Sequence, residues 1–306
     1  PANYKGENLD KPLVKEKKKP LSVNDPKMAG KHKTVKDAQQ WAEKNISKKV
    51  NYSDLPVGVA NQMNRAINKV FKDFNLEKFD TIKGGARGHA SASGGGINYR
   101  KNIYSNKKRT KEIFDGDVTN YRANVQRRLE NAKKELGFVI EKGSTQDAID
   151  FPLAYKRELK NAIKEVESLE KAAKYKRRTV ISSLGDSAYD LMLHETGHVL
   201  QDQLLGWLNQ SRYLQSRYKL GDPKKLGKGA MHEKAWQFQK EMSELFMKYK
   251  DTKSGYEISS YAFSKNLSTE FMSECLVMYY QEYETLKKLM PDVVEWFERV
   301  KKYAKR

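Results

Sequence analysis

The chain has 306 residues, enough for one large domain or two modest ones, and its 38% hydrophobic content with 17 Tyr, 11 Phe and 4 Trp supplies a real core. Lys and Arg number 59 against 39 acids, a formal charge of +20 that favours acidic partners such as nucleic acid or an anionic surface. No apolar run approaches the ~18 residues of a membrane span, so no membrane partner is expected, and the single cysteine, Cys275, excludes an internal disulfide and a CxxC zinc site.

The chain opens at Pro1, so it is expected to be a processed piece with sequence missing ahead of it. Residues 1–33 are rich in Lys, Asn and Pro and poor in large apolar residues. They cannot bury enough surface to offset the entropy of ordering, which predicts a flexible basic arm. One domain, 34–306, is expected to follow. It divides into N-terminal helices with a small sheet (34–115), a helical hairpin (116–180) and a metal-binding helical part (181–306).

Thr34, with Asp37 three residues on, reads as a helix start running through Trp41. After Leu55-Pro56 the apolar residues Val59, Ala60, Met63, Ala66, Ile67, Val70, Phe71 and Phe74 recur at three and four, the spacing of an amphipathic helix. Residues 79–82 and 97–104 change to β-formers and predict a small sheet, with Gly84 to Gly96 between them as a Gly-rich loop or a close-approach strand. That segment has no Gly-Lys-Ser/Thr ending and no helix following at once, so it is not a phosphate loop. Residues 117–140 and 147–175 predict two long charged helices in a hairpin. Helices at 187–205, 231–250, 267–284 and 291–304 complete the chain. The fold class predicted is α+β, mostly helical.

The helix at 187–205 holds His194-Glu195-Thr196-Gly197-His198, an HExxH pattern. At 3.6 residues per turn the two imidazoles stack on one face, where both can hold one Zn²⁺. Glu195 can then reach a water on the metal and act as general base. Gly197 leaves room for another backbone close by. A third protein ligand is needed. Gln201 and Leu204 stand where a metzincin has Gly and His, so the ligand must come from a later helix. Glu270 and Glu274, four apart, share one helix face. Glu270 is the preferred ligand, with Glu274 supporting a His ring from behind. His232 is a rival, and Glu241 and Glu244 are weaker ones. Tyr261, nine residues before Glu270, is a candidate donor to the oxyanion. Asp190 and Asp202, each four residues from a ligand His, are further candidates to hold the rings.

At these residues a resemblance enters. Tyr261-Ala262, Asn266 and Glu270-Phe-Met-Ser-Glu274, after a helix with His-Glu-Thr-Gly-His, are similar to the zinc-peptidase module of phage minor head (head-morphogenesis) proteins and of anthrax lethal factor and its relatives. Asp37 to Asn45, Val50 to Val57 and Ala60 to Asn64 resemble the preamble of the same phage proteins. The Tyr-to-Glu gap is a little longer here than in the lethal-factor pattern. The resemblance implies a zincin-like metallopeptidase; the hairpin matches nothing in that family and is expected to be an insertion. The resemblance gives Glu270 the role of zinc ligand and Tyr261 that of oxyanion helper. It also implies a peptide or protein substrate, phage head, portal or capsid proteins as partners, and a place in the virion or the bacterial host cytoplasm. The alternative is a basic virion-structural protein that contacts DNA nonspecifically on a non-catalytic zincin-like scaffold. No zinc-finger spacing or helix-turn-helix pattern supports specific DNA reading.

Overall fold

The computed structural model describes residues 22–86, 90–93, 95–100, 107–174, 187–204, 229–250, 252–265 and 267–305. They form a mostly helical α+β body with one small mixed sheet. Residues 22–33 do not belong to a loose arm. They carry a 3-10 turn at Pro26–Met28 and are tied down by polar contacts. Trp41 Nε1 donates to the Asp25 carbonyl at 2.8 Å. The Asn61 side chain bridges the backbone N–H and C=O of His32. The packed body therefore begins by residue 22, and the earlier residues of the expected arm lie outside the described ones.

Helix α1 (Val35–Asn45) starts at Thr34, whose Oγ1 accepts from the Asp37 N–H at 3.1 Å. This satisfies one of the orphan donors of the first turn. Strand β1 (Ser47–Val50) leads into α2 (Val57–Phe74), which buries Ala60, Met63, Ala66, Ile67, Val70, Phe71 and Phe74 along one stripe. Strands β2 (Phe79–Gly84), β3 (Ala90–Ser93) and β4 (Gly96–Tyr99) follow. The sheet order is β1-β2-β4-β3, with β1, β2 and β4 parallel and β3 antiparallel on the outer edge. Register aligns Val50, Ile82, Ile97 and Ala92 in one row across it. Gly96 is required there: a Cβ would run into the carbonyl of Thr81. The stretch from residue 101 to 104, expected to extend the last strand, lies outside the described residues.

The hairpin consists of α3 (Lys107–Lys142), a short α4 (Gln146–Asp150) and α5 (Pro152–Lys174). The second predicted helix is thus broken at Phe151. The cause is Pro152, which disfavours helical backbone in the residue before it. Lys133–Glu170 and Lys142–Glu158 pairs at 2.8 and 3.0 Å lace its two long helices. Its far end leaves Phe138, Ile149, Phe151 and Leu153 exposed.

Helix α6 (Ser187–Leu204) packs among α2, β3 and a late helix, α10 (Ser268–Gln281). Between them in sequence come α7 (Gly229–Tyr249), α8 (Lys253–Ile258) and α9 (Ser260–Lys265). Helices α11 (Tyr283–Leu289) and α12 (Pro291–Ala304) end the chain. Residues Phe271–Tyr279 of α10 are all buried, so this helix is the axis of the C-terminal part. No helix of the described residues is long and apolar enough to cross a membrane.

Candidate metal centre

The apolar run around the HExxH pattern buries α6 so thoroughly that residues 188–197 are all shielded from solvent. His194 and His198 project from it one turn apart, their Nε2 atoms 3.2 Å from each other. Glu270 stands in the first turn of α10. Its Oε2 lies 3.1 Å from His194 Nε2 and 3.6 Å from His198 Nε2. A tetrahedral ion held at ~2.0–2.1 Å by each donor places those donors about 3.3–3.4 Å apart. The three observed edges bracket that length. Two imidazole nitrogens and one carboxylate oxygen thus form a group fit to bind a metal ion, on two helices far apart in sequence.

Each ring is also held from behind. Glu274 Oε1 lies 3.1 Å from His194 Nδ1, its side chain fully buried. A carboxylate can only accept, so it keeps the ring proton on Nδ1 and turns the Nε2 lone pair toward the triangle. His198 Nδ1 meets Ser273 Oγ at 3.3 Å. The helices can cross this closely because position 197 is glycine. A Cβ there would lie 2.9 Å from Ser273 Oγ and 3.1 Å from its Cα.

Compared with protein-family models, with curated proteins and with solved structures, the chain matches none. The chemistry of the site is therefore read from its own atoms.

Glu195 does not join the triangle. It is buried beside it and accepts a hydrogen bond from the Ala92 N–H of edge strand β3. Burial pushes its carboxyl up from the ordinary 4.5, while His194 and His198 pull it down. Asp202, one turn after His198, is pushed up to about 6 by burial, with His198 opposing. Asp190 is fully buried one turn before His194, and its Oδ1 accepts from Gln281 Nε2 at 2.6 Å. Tyr261 lies half-buried on α9, the short helix that leads to α10. Glu241 pairs with Arg299 at 2.8 Å and Glu244 with Lys240, so both are engaged elsewhere. The side chain of His232 and all of Asn266 lie outside the described residues. Sequence reasoning did not find the Ala92 N–H, because a backbone donor leaves no residue signature. It also passed over Ser273 and Gln201 as polar partners.

Burial alone would lower the His194 pKa. Hydrogen bonds to Glu270 and Glu274 outweigh it and carry the ring well above the ordinary 6.5 in the metal-free site. A raised histidine pKa stabilises the folded state fully below about 6.5 and loses that contribution as pH climbs through the folded value. Glu270 is moved the other way: burial would raise it, but bonds to the two rings take it well below 4.5. Its contribution is present above about 4.5 and lost on acidification below that. Chelator-treated protein should therefore lose thermal stability as pH rises above about 6.5. Metal-loaded protein should not follow, because protons and metal compete for the same nitrogens. Melting curves of both forms across that range check this: the gap in Tm widens with pH.

Proposed function

We propose that the chain is a zinc-dependent peptidase with a zincin-like site. The observation that carries this reading is the Nε2, Nε2, Oε2 triangle of His194, His198 and Glu270 with a buried carboxylate, Glu195, beside it. His194, His198 and Glu270 would hold the zinc, which would supply the Lewis acidity to polarise a peptide carbonyl and acidify the attacking water. Glu195 takes the proton from that water and returns it to the leaving amine. Its raised pKa suits a group that must accept a proton and then give it up. The resemblance assigns Tyr261 to donate to the carbonyl oxygen as charge develops there. Outer strand β3 offers an edge on which an extended peptide adds, and the Ala92 N–H ties that edge to the base.

The resemblance to phage minor head proteins supports a phage or prophage origin. The substrate is then a peptide or protein of the head, portal or capsid, in the virion or the host cytoplasm. The +20 charge favours a second reading, a basic virion component that contacts DNA on the same scaffold. That reading predicts DNA binding that falls steeply with salt and no hydrolysis.

Purified protein is expected to carry one zinc per chain and to hydrolyse an unfolded protein such as casein. A chelator should remove both metal and activity, and added zinc should restore both. Hydrolysis that survives complete removal of metal rejects the zinc-dependent mechanism, and zinc-loaded protein that hydrolyses nothing rejects the peptidase reading.

A further inference from the structure

The two histidines are supported by chemically different partners. Glu274, behind His194, is an acceptor only. Ser273, behind His198, is a hydroxyl that both donates and accepts. Ser273 is fully buried, and its Oγ lies 3.3 Å from His198 Nδ1. A second contact limits what it can do. Gln201, one exposed part in a hundred, sends its amide Nε2 to the Thr269 carbonyl at 2.8 Å and to Ser273 Oγ at 3.3 Å. That amide, anchored by a carbonyl, is a donor, so one lone pair of Oγ is already taken. The remaining lone pair and the hydroxyl proton are left for His198.

From this geometry we propose that Ser273, oriented by Gln201, is the positioning residue that puts His198 into its metal-binding tautomer. The inference rests on the zinc-site reading and adds a residue to it. For His198 to ligate through Nε2, its proton must sit on Nδ1, where Ser273 Oγ accepts it. In the metal-free site the same hydroxyl can turn and donate to Nδ1. The Nε2–H then faces Glu270 Oε2, which lies 3.6 Å away. Glu274 fixes one ring permanently, while Ser273 lets the other exchange its proton between nitrogens as metal enters. Gly197 makes this possible, because any side chain there would displace the Ser273 hydroxyl.

A plainer role exists for a small residue at a tight helix crossing: it fills space. Ser273→Ala keeps that role and removes only the hydroxyl. The expected result is zinc affinity weakened by ~10–100-fold, measured by competition with a chromophoric chelator. Melting of the metal-free variant should stay within a few degrees of wild type. Ser273→Cys, of similar size but a weak hydrogen-bonding partner, should fall between wild type and Ser273→Ala. In ¹⁵N NMR of the zinc-loaded wild type, His198 should carry its proton on Nδ1.

Wild-type protein that binds zinc alongside Ser273→Ala of equal affinity overturns this inference and leaves the zinc site standing. So does a loss of metal-free stability large enough to account for the weaker binding. Wild-type protein that takes up no zinc overturns the site itself, and this inference with it.

Discussion

Glu195→Gln should keep its zinc and lose peptide hydrolysis by about 10²–10⁴-fold, the usual worth of a general base. The separation of the two effects is the point of the variant. Glu195 is not one of the three converging donors, so its removal leaves the metal triangle intact. Glutamine has the same shape, and its carbonyl oxygen can still accept from the Ala92 N–H. What it cannot do is take a proton from water. Stability should not suffer, because burial disfavours the carboxylate that is being replaced. The variant should melt within a few degrees of wild type while kcat collapses. Zinc content equal to wild type with an undiminished rate removes Glu195 from the reaction.

The parts of the site that could be read from sequence are those with a local period. His194 and His198 announce themselves because four residues along a helix bring two side chains onto one face. Glu270 and Glu274 pair by the same rule, and the demand for a third ligand points to them. Helix α2 is legible because its stripe of Ala60, Met63, Ile67, Val70 and Phe74 is long and amphipathic. The parts that escaped depend on partners distant in sequence. Strand β1, Ser-Lys-Lys-Val, was missed outright, and β3, Ala-Ser-Ala-Ser, was legible only as one of two options for the Gly-rich segment, because neither has the composition of a strand. They become strands because β2 and β4 present edges for them to pair with. Residues 22–33 are polar enough to read as an arm, yet they are held through backbone groups by Trp41 and Asn61. Composition counts apolar surface and cannot count such bonds. The helix expected over 147–175 ran through Pro152 without the break, although a proline restricts the residue ahead of it.

Glu270→Ala should lower zinc affinity far more than Glu274→Ala, and the order of the two is what tests the ligand assignment. Glu270 contributes an oxygen at 3.1 and 3.6 Å from the two ring nitrogens, inside the distances that share one ion. Without it two donors remain, and the loss should exceed the ~10–100-fold cost of removing a supporting partner. Glu274 meets His194 from behind, at Nδ1, so Glu274→Ala should stay within that supporting range. The stabilities should rank the opposite way in metal-free protein. Glu274 is fully buried and its truncation leaves a hole and a ring nitrogen without its acceptor, whereas the Glu270 side chain keeps some contact with solvent. Zinc at a thousandfold excess over its Kd adds about 4.1 kcal/mol to the wild type. Glu270→Ala forfeits that increment because the ion no longer joins α6 to α10, so chelator should barely change its melting temperature. If instead Glu274→Ala abolishes binding and Glu270→Ala only weakens it, the ligand and the support exchange places, with His194 ligating through Nδ1, the nitrogen that already faces Glu274.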